Sequence, residues 1–267
     1  MTSPAISPAG CPERPVGLDL RSPGVTYRRM TQHALIVAHG QPSDPRTAGG
    51  ALEALAAQVQ ALLPGWEVRA ATLAEEGAVA RAVTGLPGGV VFPMFMTGGW
   101  FTRVQIPKRL AEAGVATGPG GWVVLEPFGC DPAVHDLCVV IAREAGAREV
   151  VLAAHGSFKS AVPSDIARHV AERIGQETGL DVAVGFIDQE PQVSSLTGRS
   201  GVCLPFFAAG GGHVSDDIPA ALAEAGFAGR ILPPVGLDAR VPGIIAAAIA
   251  RGAPVCAGGC RWARAAS

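Results

Sequence analysis

Short apolar runs alternate with stretches of helical periodicity along most of this chain. The first run covers 34–38, and apolar positions at helical spacing follow it over 51–63. The same patterns predict further strands at 66–73, 89–95, 122–125, 149–154, 181–186, 201–207 and 230–233. They predict further helices at 79–84, 105–113, 134–145, 165–178, 218–225 and 241–251. Strands separated by helices in this way are typical of parallel sheets with right-handed crossovers. The pattern predicts an α/β protein.

The second half of the series repeats the first. Residues 92–107 align without a gap with residues 204–219, and Leu-Ala-Glu-Ala-Gly follows both segments after two further residues. Each half also opens with an apolar strand that ends in His-Gly, at His39 and at His155. This internal duplication predicts two similar three-layer lobes, each a mainly parallel sheet flanked by helices.

The duplication also sets the expected domain bounds. We expect a disordered leader over 1–31, a first lobe over 32–146, a second lobe over 147–253 and a tail over 254–267. The leader carries five prolines without apolar periodicity, and it lacks the apolar core of a signal peptide. Because no apolar run reaches the roughly 18 residues that span a bilayer, we expect a cytoplasmic chain with no membrane association.

Charge and cysteine content change this picture little. The formal net charge of −2 gives no reason to expect nucleic-acid binding. The six cysteines lack the spacing of a structural metal site, so we expect free, mostly buried thiols. Cys256 and Cys260 form one close pair, but two ligands make a poor site. A metal or cluster role for them is the less favoured alternative.

Histidines mark the expected functional site. Ligands of open parallel sheets collect at the carboxyl ends of the strands, and both His39 and His155 follow the first strand of a half. His213 follows the strand 201–207 across the glycines 210–212, so it should lie at the same edge as His155. Two imidazoles in one cavity could bind a metal ion or accept a proton near neutral pH.

The first half lacks the second histidine. Phe101 stands at the position of His213, and Trp100 stands where the second half has a glycine. Aromatic side chains cannot ligate a divalent ion, but they can form an apolar wall for a flat ligand. His39 is then either a remnant of a second site or a secondary contact. The remaining histidines are expected to be structural: His33, His135 and His169.

Acidic residues follow the strands at the same edge. Asp188 and Glu190 come after the strand 181–186, and each is either a metal ligand or a solvated loop acid. Asp216 and Asp217 are expected to enrich the first turn of the next helix. Ser157 could suggest a hydrolase, but no Gly-x-Ser-x-Gly elbow surrounds it.

Three elements of the second half resemble the sirohydrochlorin chelatases of the class II chelatase superfamily. They are Ala154-His155-Gly156-Ser157, Pro205-Phe206-Phe207 and Gly212-His213-Val214-x-x-Asp217-Ile218-Pro219. The resemblance covers about 33–251. It implies two similar lobes around a tetrapyrrole cleft and ATP-independent insertion of Co²⁺, Fe²⁺ or sometimes Ni²⁺ into sirohydrochlorin or a related ring, in cobalamin or siroheme biosynthesis. The metal is then a substrate, and no organic cofactor is expected.

The resemblance places the catalytic pair on His155 and His213, and the metal on these two residues with Asp188 or Glu190. The residues expected to contact the tetrapyrrole are Gly210, Gly211, Gly212, Phe101, Trp100, Ser157 and His39. Further candidates are Phe95, Phe206 and Phe207 for an apolar wall, and Lys159 and Arg103 for the ring carboxylates.

The chain departs from the family pattern in two places. Phe158-Lys159-Ser160 follows His-Gly-Ser where the family usually has Arg-Asp-Pro, and Phe101 replaces a histidine. The alternative function is therefore a non-catalytic metal or tetrapyrrole carrier on the same fold. A monomer or a homodimer is expected, since the duplicated chain already holds both halves.

Overall fold

A computed structural model describes residues 31–256 and 260–262. The predicted leader lies, apart from Thr31, outside these residues, and the predicted tail is described only in part. The strands are β1 Gln32–Ala38, β2 Trp66–Thr72, β3 Gly89–Pro93, β4 Trp122–Val124, β5 Glu149–Ala154, β6 Asp181–Phe186, β7 Val202–Pro205 and β8 Arg230–Ile231. The helices are α1 Pro45–Leu62, α2 Ala78–Val83, α3 Ile106–Glu112, α4 Pro132–Glu144, α5 Val162–Thr178, α6 Ile218–Glu224 and α7 Val241–Arg251.

The strands form two parallel sheets of four strands each, in the orders β2-β1-β3-β4 and β6-β5-β7-β8. The first strand of each half is central, because an apolar run such as 34–37 is buried on both faces. The register is the same in both sheets: Ala38 lies beside Thr72 in the first, and Ala154 beside Phe186 in the second. The predicted fold of two similar α/β lobes is confirmed.

Helix α1 begins earlier than the apolar periodicity indicates. Periodicity predicts a start at residue 51, whereas the helix starts at Pro45. Asp44 is the N-cap, and its carboxylate accepts a hydrogen bond from Thr47 N. Proline at the first helical position after an Asp cap is a helix-start signal in its own right. The prediction of the start at residue 51 is therefore wrong, because it relied on the buried face alone.

The two halves interlock through their helices. Helix α4 ends the first half but packs against α5, and α7 ends the second half but packs against α1 and β3. One apolar cluster consequently contains Ile36 and Phe92 from the first sheet together with Leu152 and Leu204 from the second. The lobes share one core, although each sheet belongs to one half of the sequence.

A buried carboxylate links the two interlocking helices. Asp131 is 3% exposed and caps α4 by accepting a hydrogen bond from Ala133 N at 3.0 Å. Its other oxygen accepts a hydrogen bond from the guanidinium of Arg251, in the last turn of α7. Such a carboxylate satisfies a helix end and an arginine at the same time, so its removal leaves both without their partner.

We expect Asp131→Ala to lower the free energy of unfolding by about 2–3 kcal/mol, since both the cap and the charge-assisted bond are lost. Urea denaturation measures this. The matched control is Asp136→Ala, which removes an exposed carboxylate of α4 that pairs with Arg173 Nη2 at 2.8 Å. That change should cost less than about 1 kcal/mol. Equal losses of unfolding free energy in the two variants would show that the buried Asp131 carboxylate stabilises the fold no more than an exposed ion pair does.

Across the described residues, none of the helices combines the length and the apolar character that a membrane crossing requires.

Candidate metal site

Two histidines meet at the carboxyl edge of the second sheet. His155 directly follows β5, and His213 begins a π-helical turn, His213–Asp217, that leads into α6. The two rings lie edge to face, with centroids 4.6 Å apart and an interplanar angle of 82°. Both side chains are about half exposed. The structure thus brings together the two residues to which sequence reasoning assigned the chemistry.

Both imidazoles use Nδ1 as a hydrogen-bond donor. His155 Nδ1 lies 3.1 Å from Gly156 O and 3.4 Å from Asp188 Oδ2, and His213 Nδ1 lies 2.6 Å from Asp217 Oδ2. A carbonyl oxygen and an ionised carboxylate can only accept, so the proton of each neutral ring is on Nδ1. Nε2 of each ring therefore carries the lone pair that binds a metal ion or a proton.

The π-helical turn sets the position of the second histidine and its carboxylate. Ile218 N donates to His213 O, five residues back, where an α-helix would close over four. Asp217 lies on the same turn as His213 and makes no capping bond to α6. Asp217 directly precedes α6, as expected of an acid at a helix start, and its carboxylate has the further role of partner to His213.

A second loop holds the turn that carries His155. Asp188 N donates to His155 O at 2.9 Å, and Gln189 Oε1 accepts from Ser157 N at 2.8 Å. Gly156 has φ 74°, and a Cβ there would lie 2.6 Å from Gln189 Cγ, so only glycine fits between the two loops. Sequence reasoning missed Gln189, because an amide between two acids gave no pattern to detect.

Ser157 takes part in this turn through its backbone and its hydroxyl. Its Oγ accepts a hydrogen bond from Lys159 N at 3.1 Å, as in a local turn. This arrangement gives the hydrolase interpretation no support.

The first lobe repeats the geometry with different side chains. His39 Nδ1 donates to Gly40 O at 2.8 Å, and the Phe101 ring lies 4.6 Å from the His39 ring at 89°. Phe95 stacks on Phe101 with centroids 5.6 Å apart, and Trp100 contacts Phe101 at 5.1 Å. Phe101 therefore occupies the place of His213 within an aromatic cluster that includes the 59% exposed Trp100.

Two carboxylates of the second lobe, those of Asp188 and Asp217, have no counterpart in the first. Ala74 N donates to His39 O just as Asp188 N donates to His155 O, so Ala74 is the equivalent of Asp188. Gln105 ends the first π-helical turn at the position of Asp217. The first lobe thus lacks one imidazole and two carboxylates that the second lobe has, although both share the backbone arrangement.

Glu190 and the glycines before His213 are the remaining predicted metal ligand and substrate contacts. The Glu190 carboxylate accepts from Gln192 N at 3.1 Å, and its metal-binding role stays a prediction. Gly211 has φ 154°, whereas Gly212 is helical. Within the described ranges, no three His, Cys, Asp or Glu side chains come together as a ready-made metal site.

Not all residues predicted to form the apolar wall or to bind the ring carboxylates are accessible to a substrate. Phe206 is 2% exposed within the shared core, so its prediction as a cleft wall is wrong. Phe207 lies 6.3 Å from the His213 ring and remains a candidate. Arg103 Nε donates to Gly98 O at 2.6 Å, and Lys159 is exposed.

The other histidines lie apart from this edge. His135 is fully buried, its Nε2 donates to Gly129 O at 2.9 Å, and burial lowers its pKa to about 4. Its ring contacts those of His169 and Trp262. His33 Nδ1 lies 3.5 Å from Glu67 Oε2. These surroundings agree with structural roles.

Comparison with known proteins relates both the second lobe alone and most of the chain to CbiX. The CbiX family model matches residues 149–251. The structure of CbiX described as the terminal enzyme for siroheme biosynthesis in denitrifying bacteria is 42% identical, over 82% of this chain and 99% of that one, with a TM-score of 0.75.

This chain belongs to the CbiX family of sirohydrochlorin chelatases.

More distant structures share the fold of the CbiX chain. A multi-domain protein from Deinococcus radiodurans with similarity to chelatases is 19% identical, over 83% of this chain and 55% of that one, with a TM-score of 0.66. SirB from Bacillus subtilis with Fe³⁺ is 16% identical, over 84% and 96% of the two chains, with a TM-score of 0.65. The search of curated proteins returned no match to the chain.

In this CbiX-family chain we expect Asp217→Ala to weaken Co²⁺ binding about tenfold or more, because a carboxylate that orients a ligating histidine contributes that much to metal affinity. Isothermal titration of the purified chain with Co²⁺ measures the change. Asp216→Ala is the matched control, since it removes an equal charge from the same turn, and should change affinity less than about twofold. Equal effects would assign the result to net charge and contradict the specific hydrogen bond.

Proposed function

We propose that this chain inserts a divalent metal ion, Co²⁺ or Fe²⁺, into sirohydrochlorin or a closely related tetrapyrrole, without ATP, as a step of siroheme or cobalamin biosynthesis. The observation that carries the proposal is the contact of His155 and His213, with Nδ1 of both rings engaged and Nε2 of both available. The family supports it, since a relative of 42% identity is described as an enzyme of siroheme biosynthesis. The reaction is of cobaltochelatase or ferrochelatase type, in the lyase class, and we expect it in the cytoplasm.

Metal insertion requires two functions that neutral imidazoles supply. The ring must release two pyrrolic protons, and the ion must exchange water for four ring nitrogens. One Nε2 can hold the entering ion while the other accepts a proton. The carboxylates of Asp188 and Asp217 lie next to Nδ1 of the two rings, so they stabilise the imidazolium that forms when a proton arrives.

The open character of the site suits a metal that is a substrate. A closed site with four protein ligands retains its ion, whereas an enzyme that delivers the ion to a ring must release it. Two imidazoles at a half-exposed edge leave most coordination positions for water and for the tetrapyrrole nitrogens. Imidazole accepts Co²⁺, Fe²⁺ and Ni²⁺ alike, so the metal that is supplied determines the product.

The first lobe contributes an apolar surface to this function. Phe95, Trp100 and Phe101 form a stacked cluster, and Trp100 is largely exposed. Aromatic faces stack favourably on flat conjugated rings, so this cluster is suited to one face of a tetrapyrrole. Since Phe101 cannot ligate an ion, the chemistry belongs to the second lobe.

We expect His155→Ala and His213→Ala each to lower kcat/KM for metal insertion at least about 100-fold, because each removes a metal ligand or a proton acceptor. Visible absorption of sirohydrochlorin with Co²⁺ or Fe²⁺ follows the reaction against the uncatalysed rate. The matched control is His39→Ala, at the equivalent position of the first lobe, which should lose less than about tenfold.

Three outcomes would contradict parts of this account. Unchanged rates in both second-lobe variants would refute the site, and a larger loss in His39→Ala would move the chemistry to the first lobe. Binding of metal and tetrapyrrole by the parent chain without acceleration would identify a carrier.

We expect Gly212→Trp to raise KM for the tetrapyrrole about tenfold or more, since an indole beside His213 fills space that the substrate needs. The chain should still fold, because Trp100 has φ −58° and ψ −39° in the first lobe and Gly212 has φ −51° and ψ −40°. Steady-state kinetics with varied sirohydrochlorin measure KM, and Gly212→Ala serves as control because the nearest atom to an added Cβ is 3.7 Å away. An unchanged KM in Gly212→Trp would show that the substrate does not pass there.

A further inference from the structure

The end of the described chain packs along the edge of the first sheet. Glu126 N donates to Ala253 O at 2.9 Å, and Val255 N donates to Val124 O at 3.0 Å. An antiparallel bridge joins Leu125 to Pro254 between these bonds. The segment that follows α7 therefore covers the edge of β4, which is the outer strand of its sheet.

The last described residues converge on one backbone carbonyl. Trp262 Nε1 and Arg261 Nη2 donate to Cys130 O at 2.8 Å and 3.2 Å. Arg261 Nη2 also donates to Glu126 Oε2 at 2.6 Å. Cys260, the residue before them, packs against the same apolar cluster that contains Cys130. Residues 130 positions apart in sequence are thus held side by side.

The two thiols lie close enough that each is the largest influence on the pKa of the other. Cys130 is 3% exposed, whereas Cys260 is only partly buried. The hydrogen bond from the Cys130 thiol lowers the pKa of Cys260, and the Trp262 amide and the charge of Arg103 act in the same direction. The pKa of Cys130 is raised by the neighbouring Cys260 sulfur and by burial. One sulfur is therefore the better nucleophile and the other holds the proton.

We propose that Cys130 and Cys260 are a peroxide-oxidisable thiol pair that closes into a disulfide and ties the C-terminal segment to the first lobe. The Cys260 thiolate attacks one oxygen of a hydroperoxide, the O–O bond breaks, and a sulfenic acid and water or an alcohol result. The Cys130 thiol then attacks the Cys260 sulfur, an S–S bond forms, and a second water leaves. Two electrons pass from the two thiols to the peroxide.

The equivalent place in the second lobe shows that this pair is specific to the first. Leu237 stands at the position of Cys130 and is 60% exposed. The disulfide would also lie near the proposed cleft. A Cβ at Gly98 would lie 3.5 Å from Val255 Cγ2, and Gly98 is in the loop that leads to Trp100. The proposal itself does not rest on the metal-insertion function.

The decisive experiment is a disulfide map of the full chain. Reduced protein is freed of reductant, treated with stoichiometric hydrogen peroxide, blocked with an alkylating reagent and digested for mass spectrometry. We expect a peptide of Cys130 linked to a peptide of Cys260, and we expect Cys256→Ser to leave this link intact. A Cys256–Cys260 link in its place, or no Cys130–Cys260 link at all, would overturn the proposal.

Thermal unfolding gives a second readout. Closing a loop of 130 residues restricts the unfolded chain, so oxidation should raise Tm by about 5 °C or more, and dithiothreitol should reverse the shift. Cys260→Ser should abolish the shift, and this half-buried position avoids the folding risk of a change at Cys130. Cys203→Ala, in the core of the second lobe where burial raises the thiol pKa to about 12, should retain it. An equal shift in Cys260→Ser would contradict the pair.

Discussion

Hydrogen bonds from Nδ1 determine what the two histidines of the second lobe can do. Each Nδ1 lies beside an oxygen that can only accept a hydrogen bond. At His213 this is the Asp217 carboxylate, and at His155 it is the Gly156 carbonyl, with the Asp188 carboxylate 3.4 Å away. The lone pair of each neutral ring is consequently on Nε2. If these bonds were absent, both rings could change tautomer, and the site would present two donors as readily as two ligands. In the second lobe, the turn at Gly156 and the π-helical turn hold these bonds in place.

The two lobes share their backbone arrangement, and three side chains explain why only one lobe has these hydrogen bonds. Both lobes retain the His-Gly turn, the second loop and the π-helical turn, and the ring-to-ring distance is 4.6 Å in both. Three substitutions change the chemistry: Phe101, Ala74 and Gln105 stand where the second lobe has His213, Asp188 and Asp217. The backbone thus supplies a geometry, and the side chains decide whether it holds an ion or an aromatic face. Interlocking helices join both lobes in one core, so the lobe without the histidine pair remains structurally part of the lobe that carries it.

Much of this could be predicted from the sequence, because repeated local patterns carry it. The apolar runs located the strands, and the His-Gly repeats with the glycines before His213 located the pair. Features that leave no periodic pattern in the sequence could not be predicted. They include the π-helical turn, the bond of Asp217 to His213 and the hydrogen bond from Ser157 N to Gln189 Oε1. Packing between distant parts of the chain could not be predicted either. It places α4 against the second half, α7 against the first half, and Cys130 beside Cys260. Phe206 was predicted to line the cleft because it follows a strand end, but its side chain is buried in the core.

X-ray absorption at the cobalt edge, on the chain loaded with one equivalent of Co²⁺, tests the central claim most directly. We predict scattering from two imidazole rings in the parent chain, from one ring in His213→Ala and in His155→Ala, and still from two rings in His39→Ala. A spectrum with oxygen ligands alone, or one that His213→Ala leaves unchanged, would contradict it.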